Sequence, residues 1–451
     1  MARRDDDEAL PAEAATARQP RRSFVRISGD GIDRRSFLQS AATQGAMAAA
    51  AFVAAAHPAG EAQAQAVRTP PRALAVTREF DDPYIELLRL LREASEVEHA
   101  LMLQYLYGAF SLKPTYAGLR GTGAPGSNDL LGIAVQEMMH LGSVNKLLVA
   151  LGAAPNLMPQ DFPYEADIYP FEFTLEPLSR HSLAKYIYAE APAGAFNDFR
   201  PPELGMQIER ALGRGVRPNH VGSLYDAVLS ALAQVEAENR RQPLPREVDF
   251  TYWKSQLTRI KTEGEADHFR FFRNAFTGAH PAFGLRSDVW LLPPTDPAYP
   301  ALQLPHNPSA FAGHPNQIAE PRALRLAWLG NLQYWTVLTL LTHGYKSETP
   351  AYLRLAQSHM QGPILSLSTA LAARGAGMPF EQLSLGYSPA LDEQQSLYFL
   401  LRMLRETRSE EVAAKGDLPG DYPAGVTQSS LDELTDIWNA TVKVRDFRRR
   451  G

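Results

Sequence analysis

The chain has no cysteine among its 451 residues. That absence excludes a disulfide framework, a thiolate nucleophile, an iron–sulfur cluster and a thiolate zinc site, so any metal must be held by histidine and carboxylate. An excess of one charge is lacking too. The 45 Lys+Arg stand against 50 Asp+Glu, a net charge of -5, and the basic residues are spread along the chain. Such a distribution offers no footprint for nucleic acid. No run of about 20 strongly apolar residues is present to form a stable membrane span. No Ser-His-Asp order or glycine-rich phosphate loop can be read, and no stretch alternates apolar and polar residues long enough to argue for a strand. What is there is 45% hydrophobic and 21% charged, the composition of a globular protein long enough for two or three domains.

Residues 1–66 read as an address and not as part of the fold. The first 33 are polar and charged, with too few large apolar side chains to build a core. Then come Asp33-Arg34-Arg35-Ser36-Phe37-Leu38-Gln39, an uncharged alanine-rich stretch from Ser40 to Ala56, and the small-residue run Ala62-Gln63-Ala64-Gln65-Ala66. Paired arginines, a mildly apolar segment and an A-x-A site in that order resemble the bacterial twin-arginine (Tat) export signal. The resemblance implies the Tat translocase as a partner during export, cleavage near Ala64 or Ala66, and a periplasmic or secreted mature protein. Alanine contributes too little transfer energy for the stretch to serve as an anchor.

The mature part is all-α. Between Asp81 and Ser111, leucines and valines recur at spacings of three and four, which predicts a long helix with one broad buried face. A second helix follows the Gly/Pro loop 114–126, with Ser127 or Asn128 as its cap, and runs to Gly152. Two more are predicted over about Val221–Asn239 and Val248–Phe276, with a shorter one over Ser182–Ala191 inside the crossover 155–220. Four long helices, two short turns and one long crossover give the layout of a ferritin-like four-helix bundle over residues 67–277. Nine prolines between 278 and 321 mark a linker, and helical patterns at about 322–342, 350–373, 391–407 and 429–444 form a second helical domain over 322–451.

The chemistry sits in Glu-x-x-His segments. Glu137-Met138-Met139-His140 lies on the second helix and Glu265-Ala266-Asp267-His268 on the fourth. A spacing of three puts each carboxylate and imidazole on one helical face, aimed at one point. Carboxylate bundles that bind two metals draw such a pair from each of two helices and one Glu from each of the others. A third copy, Glu96-Val97-Glu98-His99, shows that the tetrapeptide alone is weak; placement in mid-helix singles out the other two. Gly264, in a helix interior, points to a local widening, a close backbone approach or a simple helix crossing. Met138 and Met139 read as core filler and Phe269, Phe271, Phe272 and Phe276 as packing, not a radical relay.

Glu98-His99-Ala100-Leu101-Met102-Leu103-Gln104-Tyr105-Leu106-Tyr107, then Gln136–His140 with Asn145, Leu147, Leu148, Gly152 and Pro155, resemble the ferritin-like family of iminophenyl-pyruvate dimer synthases. Looser matches are Tyr186–Pro192, Ile260–Phe269, His359–Leu365 and Gly377–Glu381. The resemblance implies a metal-binding core, two divalent ions with iron ahead of manganese, and oxidative coupling of small amino-acid-derived imines. The expected ligands are Glu98, Glu137, His140, Glu265 and His268, with one more carboxylate. Counting back from the turn near residue 244 favours Asp226, or else His220, for that place, whereas the resemblance favours Glu190, which is the choice made. No catalytic residue beyond the ligands is singled out, and a homo-oligomer is admitted. A dimetal oxidoreductase is the preferred reading, and a non-catalytic metal-binding or structural envelope protein the alternative.

Export is expected to depend on the arginine pair. Replacing Arg34 and Arg35 together with lysine should leave the protein in the cytoplasm, as read by cell fractionation; an unchanged yield outside the cytoplasm would refute the Tat reading.

Overall fold

The computed structural model describes residues 76–159, 171–192, 195, 203–213, 221–347, 349–383 and 393–450. The leader, the export signal and His220 lie outside the described residues. Helix α1, Pro83–Ser111, starts at Asp82, whose carboxylate accepts from the N–H groups of Tyr84 and Ile85, with Pro83 in the position where a missing N–H costs nothing. Helix α2, Leu130–Ala150, is capped by Asp129 through Gly132 N at 2.7 Å. The expected caps are engaged elsewhere: Ser127 Oγ bonds Ala124 O and Asn128 Nδ2 meets His280. Asn145 Nδ2 donates to Ser95 Oγ at 3.0 Å while its Oδ1 accepts from Asn156 N at 2.6 Å, pinning α2 and the loop after it to α1.

The crossover carries α3, Arg180–Glu190, begun by a Ser179/Ser182 capping box, and α4, Glu203–Leu212. Helix α5 is Val221–Asn239 and α6 is Phe250–Glu263, capped by Asp249. The fourth helix does not run straight to Phe276. Residues Gly264–His268 form a π-turn, and α7 resumes at Phe269–Phe276, so the widening suggested by Gly264 is present. These helices make the all-α, ferritin-like bundle, with α1 packed on α2 and α5, and α3 laid against α7.

The proline-rich stretch holds two one-turn 3₁₀ helices, Pro281–Phe283 and Val289–Leu291. It is tied to the end of α1 through Lys113 N to Pro300 O (2.9 Å) and Leu302 N to Ser111 O (2.7 Å). Beyond it lie α8, Pro321–Ser347; α9, Pro350–His359; α10, Leu365–Ala373; α11, Glu393–Ala413; and α12, Gly425–Arg450. The expected 350–373 helix is interrupted by a second π-turn, Met360–Ile364, where Pro363 has no N–H to continue the ladder. All described residues fall within one compact unit, Pro70–Gly451. Among them there is no strand, only the isolated bridges Leu112–Ala301 and Ser309–Gln317. No described helix is long and apolar enough to cross a membrane.

Helix α1 is buried nearly all round: α10 packs on it from the later half of the chain, and α8 reaches it through Tyr334. His99, fully buried, meets Tyr334 OH through Nε2 at 2.8 Å, which explains why the third Glu-x-x-His copy serves packing. The later helices close on a polar core of their own. His359 Nδ1–H donates to Gln333 Oε1 (2.6 Å) and its Nε2 accepts from Ser430 Oγ (2.9 Å). Glu411 Oε1 accepts from Tyr422 OH and Thr427 Oγ1, both at 2.6 Å.

Burial lowers the pKa of His359 to about 4 and holds the ring neutral. An unfolded histidine titrates near 6.5, so between those values the unfolded chain binds a proton that the folded chain refuses. Stability from this group is present above about pH 6.5 and is lost as pH falls toward 4, by roughly 3 kcal/mol. Urea denaturation across that range should show His359→Gln reducing the pH slope by about one proton; an unchanged slope would refute the assignment.

Candidate metal centre

The bundle brings five of the six expected ligands to one point. Glu137 of α2 sits at the middle. Its Oε2 lies 2.9 Å from His140 Nδ1 and its Oε1 lies 2.9 Å from His268 Nδ1. Glu98 of α1 stands 3.6 Å from His140 Nδ1, and Glu190, the last residue of α3, stands 3.6 Å from His268 Nδ1. Two groups of donors result, Glu98/Glu137/His140 and Glu137/Glu190/His268, each with its ligand atoms within 4.8 Å of one another and every residue buried. The imidazoles stack with centroids 5.7 Å apart. The arrangement is pseudo-symmetric: one shared carboxylate, and on each side one terminal carboxylate and one imidazole.

The terminal carboxylates are held by phenols. Tyr225 of α5 donates to Glu98 Oε1, and Tyr105 of α1 donates to Glu190 Oε1 at 2.5 Å. These tyrosines were not foreseen as site residues, although Tyr105 lies in the motif that carries the family resemblance. The third helix of the bundle therefore supplies a hydroxyl where a carboxylate was weighed. Asp226 is exposed and paired with Lys261 at 2.6 Å, outside both groups.

Glu265 is also outside both groups. It is partly exposed, 3.8 Å from Lys261, and Glu263 takes the inward place, with Oε2 at 2.8 Å from His140 Nε2. The π-turn is the physical reason. Its i→i+5 hydrogen bonds bring residues five apart into line, so Glu263 and His268 both face inward while the three-residue spacing of Glu265 and His268 no longer marks one face. Gly264 is required by a second constraint: a Cβ there would stand 2.8 Å from Glu190 Oε2.

The electrostatics are those of anions gathered out of water. Burial and then the charge of Glu137 push Glu98 up to about 8. Burial and the same neighbour raise Glu190. For Glu137 burial works the other way from the outcome, because His268 and His140 hold it well below the usual carboxylate range. Burial opposes the His268 cation, yet Glu137 and Glu190 carry its pKa up to about 10, and His140 is raised by Glu137 in the same way.

The donors fit two divalent ions. Glu98 Oε2 and both ring nitrogens of His268 are buried without a hydrogen-bond partner among the described residues. Three buried carboxylates with Glu263 at the edge would balance two divalent charges, and oxygen with imidazole suits iron, manganese or zinc. Glu263, accepting from His140 Nε2–H, fixes the tautomer that leaves Nδ1 free to ligate.

Residues 91–274, which cover most of the bundle, match the model of the ferritin-like family. Two curated proteins are similar over shorter stretches. A dichlorochromopyrrolate synthase from Lentzea aerocolonigenes is 26% identical over 226 residues, 45% of this chain and 20% of the relative. A 2-imino-3-(indol-3-yl)propanoate dimerase from Chromobacterium violaceum is 37% identical over 133 residues, 24% of this chain and 13% of the relative. The chain thus matches a fifth or less of the length of each. No solved structure matches it.

Two measurements test the centre. Glu190→Ala should lose bound metal while Asp226→Ala retains it, and Glu263→Ala should weaken binding roughly 10- to 100-fold while Glu265→Ala leaves it unchanged, as read by chelator competition. Full occupancy in Glu190→Ala alongside loss in Asp226→Ala would overturn this geometry. Because His140, His268 and part of Glu98 carry protons near neutral pH, loading two divalent ions at pH 7.5 should release roughly two to three protons. Calorimetry in buffers of differing ionisation enthalpy reads that number, and a value near zero would contradict the raised pKa values.

Proposed function

We propose that this protein is an exported dimetal-carboxylate oxidoreductase acting on a small amino-acid-derived substrate, in the manner of iminophenyl-pyruvate dimer synthases. One observation carries the reading: two His/carboxylate groups that share Glu137, buried together in a ferritin-like bundle. The two relatives, a dichlorochromopyrrolate synthase and an imine dimerase, support the substrate class. Export rests on the Arg34-Arg35 segment and its alanine-rich sequel.

Iron is the preferred metal and manganese the second; Glu98, Glu137 and His140 would hold one ion and Glu137, Glu190 and His268 the other. When bound, the pair supplies electron transfer to and from dioxygen or peroxide. The chain's own residues supply the rest. Tyr105 and Tyr225 orient the outer carboxylates, and Glu263 orients His140. Leu101, Val221 and Ile260 form the apolar wall beside the cluster and limit its hydration. Lys261 stands at the rim with Asp226 and Glu265, the one lysine or arginine lining this space among the described residues. Joining two imine carbons removes two hydrogens from the pair of substrates, and one peroxide taking up both leaves as two waters.

The alternative, a metal-binding envelope protein without catalysis, is favoured by one feature. The space beside the cluster encloses about 20 Å³, room for roughly one water and not for an amino-acid-sized molecule. A substrate would need the rim to open, whereas a stored or structural ion would not.

Metal analysis of the purified chain should find two ions per molecule, and His140→Ala combined with His268→Ala should abolish them; full occupancy in that double variant would sink the centre. Peroxide added to the iron-loaded chain with phenylpyruvate imine should yield a coupled product, by mass spectrometry, that the double variant does not form. Two bound ions with no turnover of aromatic imines would favour the envelope alternative.

A further inference from the structure

We propose that the cavity between the start of α3, helix α4 and the end of α7 is a binding site for a small aromatic carboxylate, separate from the metal centre. It encloses about 260 Å³, close to the lower bound of roughly 300 Å³ for small-ligand pockets. Leu204, Phe276, Trp290 and Leu291 give it apolar walls, and Arg180 and Gln207 give it polar ones.

Arg180 determines the ligand's charge. Its guanidinium lies 4.8 Å over the Phe276 ring, and Nη2 donates to Gln207 Oε1 at 2.6 Å. Those two contacts hold the group in place without neutralising it. Among the described residues no carboxylate pairs with Arg180, and its buried Nε–H has no acceptor. Arg210 adds a second positive charge nearby; burial and then that charge make the Arg180 cation harder to keep. A held, unpaired guanidinium with donors to spare matches the two oxygens of a carboxylate.

The aromatic walls determine the rest of the ligand. Trp290 is 7% exposed, and its indole N–H is fixed on Ala275 O at 2.7 Å, so the ring is a rigid surface for stacking. A bare inorganic anion would leave that surface unused, and a neutral apolar molecule would leave Arg180 unanswered. An aromatic ring bearing one carboxylate uses both.

The site stands apart from the chemistry proposed for the centre. Arg180 and Glu190 are the two ends of α3, ten residues or roughly 15 Å apart, and no residue lines both cavities. The inference therefore holds whatever the centre catalyses.

The probe is phenylacetate, titrated calorimetrically into the full metal-loaded chain, with acetate and 2-phenylethanol as controls. Phenylacetate should bind, with both controls at least tenfold weaker. Arg180→Gln should weaken it at least tenfold with metal content unchanged. Leu291, 70% exposed at the edge, tolerates replacement, and Leu291→Trp should fill the cavity and block binding even where Arg180→Gln folds poorly. Binding equal to wild type in both variants, binding of acetate as tight as phenylacetate, or loss of binding only in His140→Ala with His268→Ala would each overturn the proposal, as would no binding at all.

Discussion

A carboxylate shared by two imidazoles is the constraint on which this bundle depends. Glu137 is 2% exposed and flanked by two further buried carboxylates, and anions cannot be withdrawn from water at that density unless cations or protons answer them. Two imidazoles answer in part, and both are driven toward their charged forms in doing so. The tyrosines that hold Glu98 and Glu190 remove two more lone pairs from the ledger of unmet needs. What stays unmet, Glu98 Oε2 and the His268 nitrogens, is the part that bound metal would satisfy. A polar cluster of this kind is not a device for stability, since an apolar core of the same volume would serve better. Its persistence in the interior is an argument for chemistry or for metal.

The helices were legible because their signals are local. Apolar spacing, Asp82 with Pro83, and the proline-bearing turn before α6 each mark an element without reference to the rest of the chain. Four members of the two donor groups are legible for the same reason: Glu98, Glu137 and His140 sit on regular α-helix, where spacing fixes direction, and His268 is the inward residue of its own turn. Asp226 shows the limit of counting along a helix. Level along the axis was judged correctly, but phase was not, and the neighbouring Tyr225 faces inward while Asp226 meets solvent. Glu190 could not be found from bundle periodicity at all, because α3 is not one of the four long helices. Only the resemblance around Tyr186–Pro192 pointed to it.

Glu263 and Glu265 exchange places for a reason that the sequence signals only indirectly. Gly264 marks the widened turn, but a glycine in a helix also marks a crossing, and nothing local separates the two. The deciding contact is long-range: the Glu190 carboxylate approaches the helix where any Cβ would obstruct it. The chain has a second π-turn, at Met360–Ile364, with a different cause, since Pro363 removes a donor from the ladder. Its neighbour His359 is fully satisfied by Gln333 and Ser430 and kept neutral, whereas His268 has neither nitrogen satisfied and is driven toward the cation. The same backbone irregularity thus accompanies opposite electrostatics, and it is the buried carboxylates around the ring that distinguish a candidate ligand from a packed histidine: against burial they raise His140 and His268, whereas burial lowers His99, His343 and His359.

That distinction extends to the two halves of the chain. The later helices bury polar groups just as deeply, yet Glu411 accepts from Tyr422 and Thr427, and Arg408 lies 3.0 Å from its other oxygen. Both oxygens of Glu411 thus have donors, which makes this cluster a means of fixing helix register. In the bundle, Glu98 Oε2 and both His268 nitrogens are left over. Helix α8 then bears on the centre through one contact: Tyr334 holds His99, a constraint on the rotation of α1, and Glu98 is the adjacent residue. Because a rotation of α1 by one residue, roughly 100°, would carry Glu98 away from His140, the contact from the later helices supports the donor geometry even though, among the described residues, they add no member to either donor group.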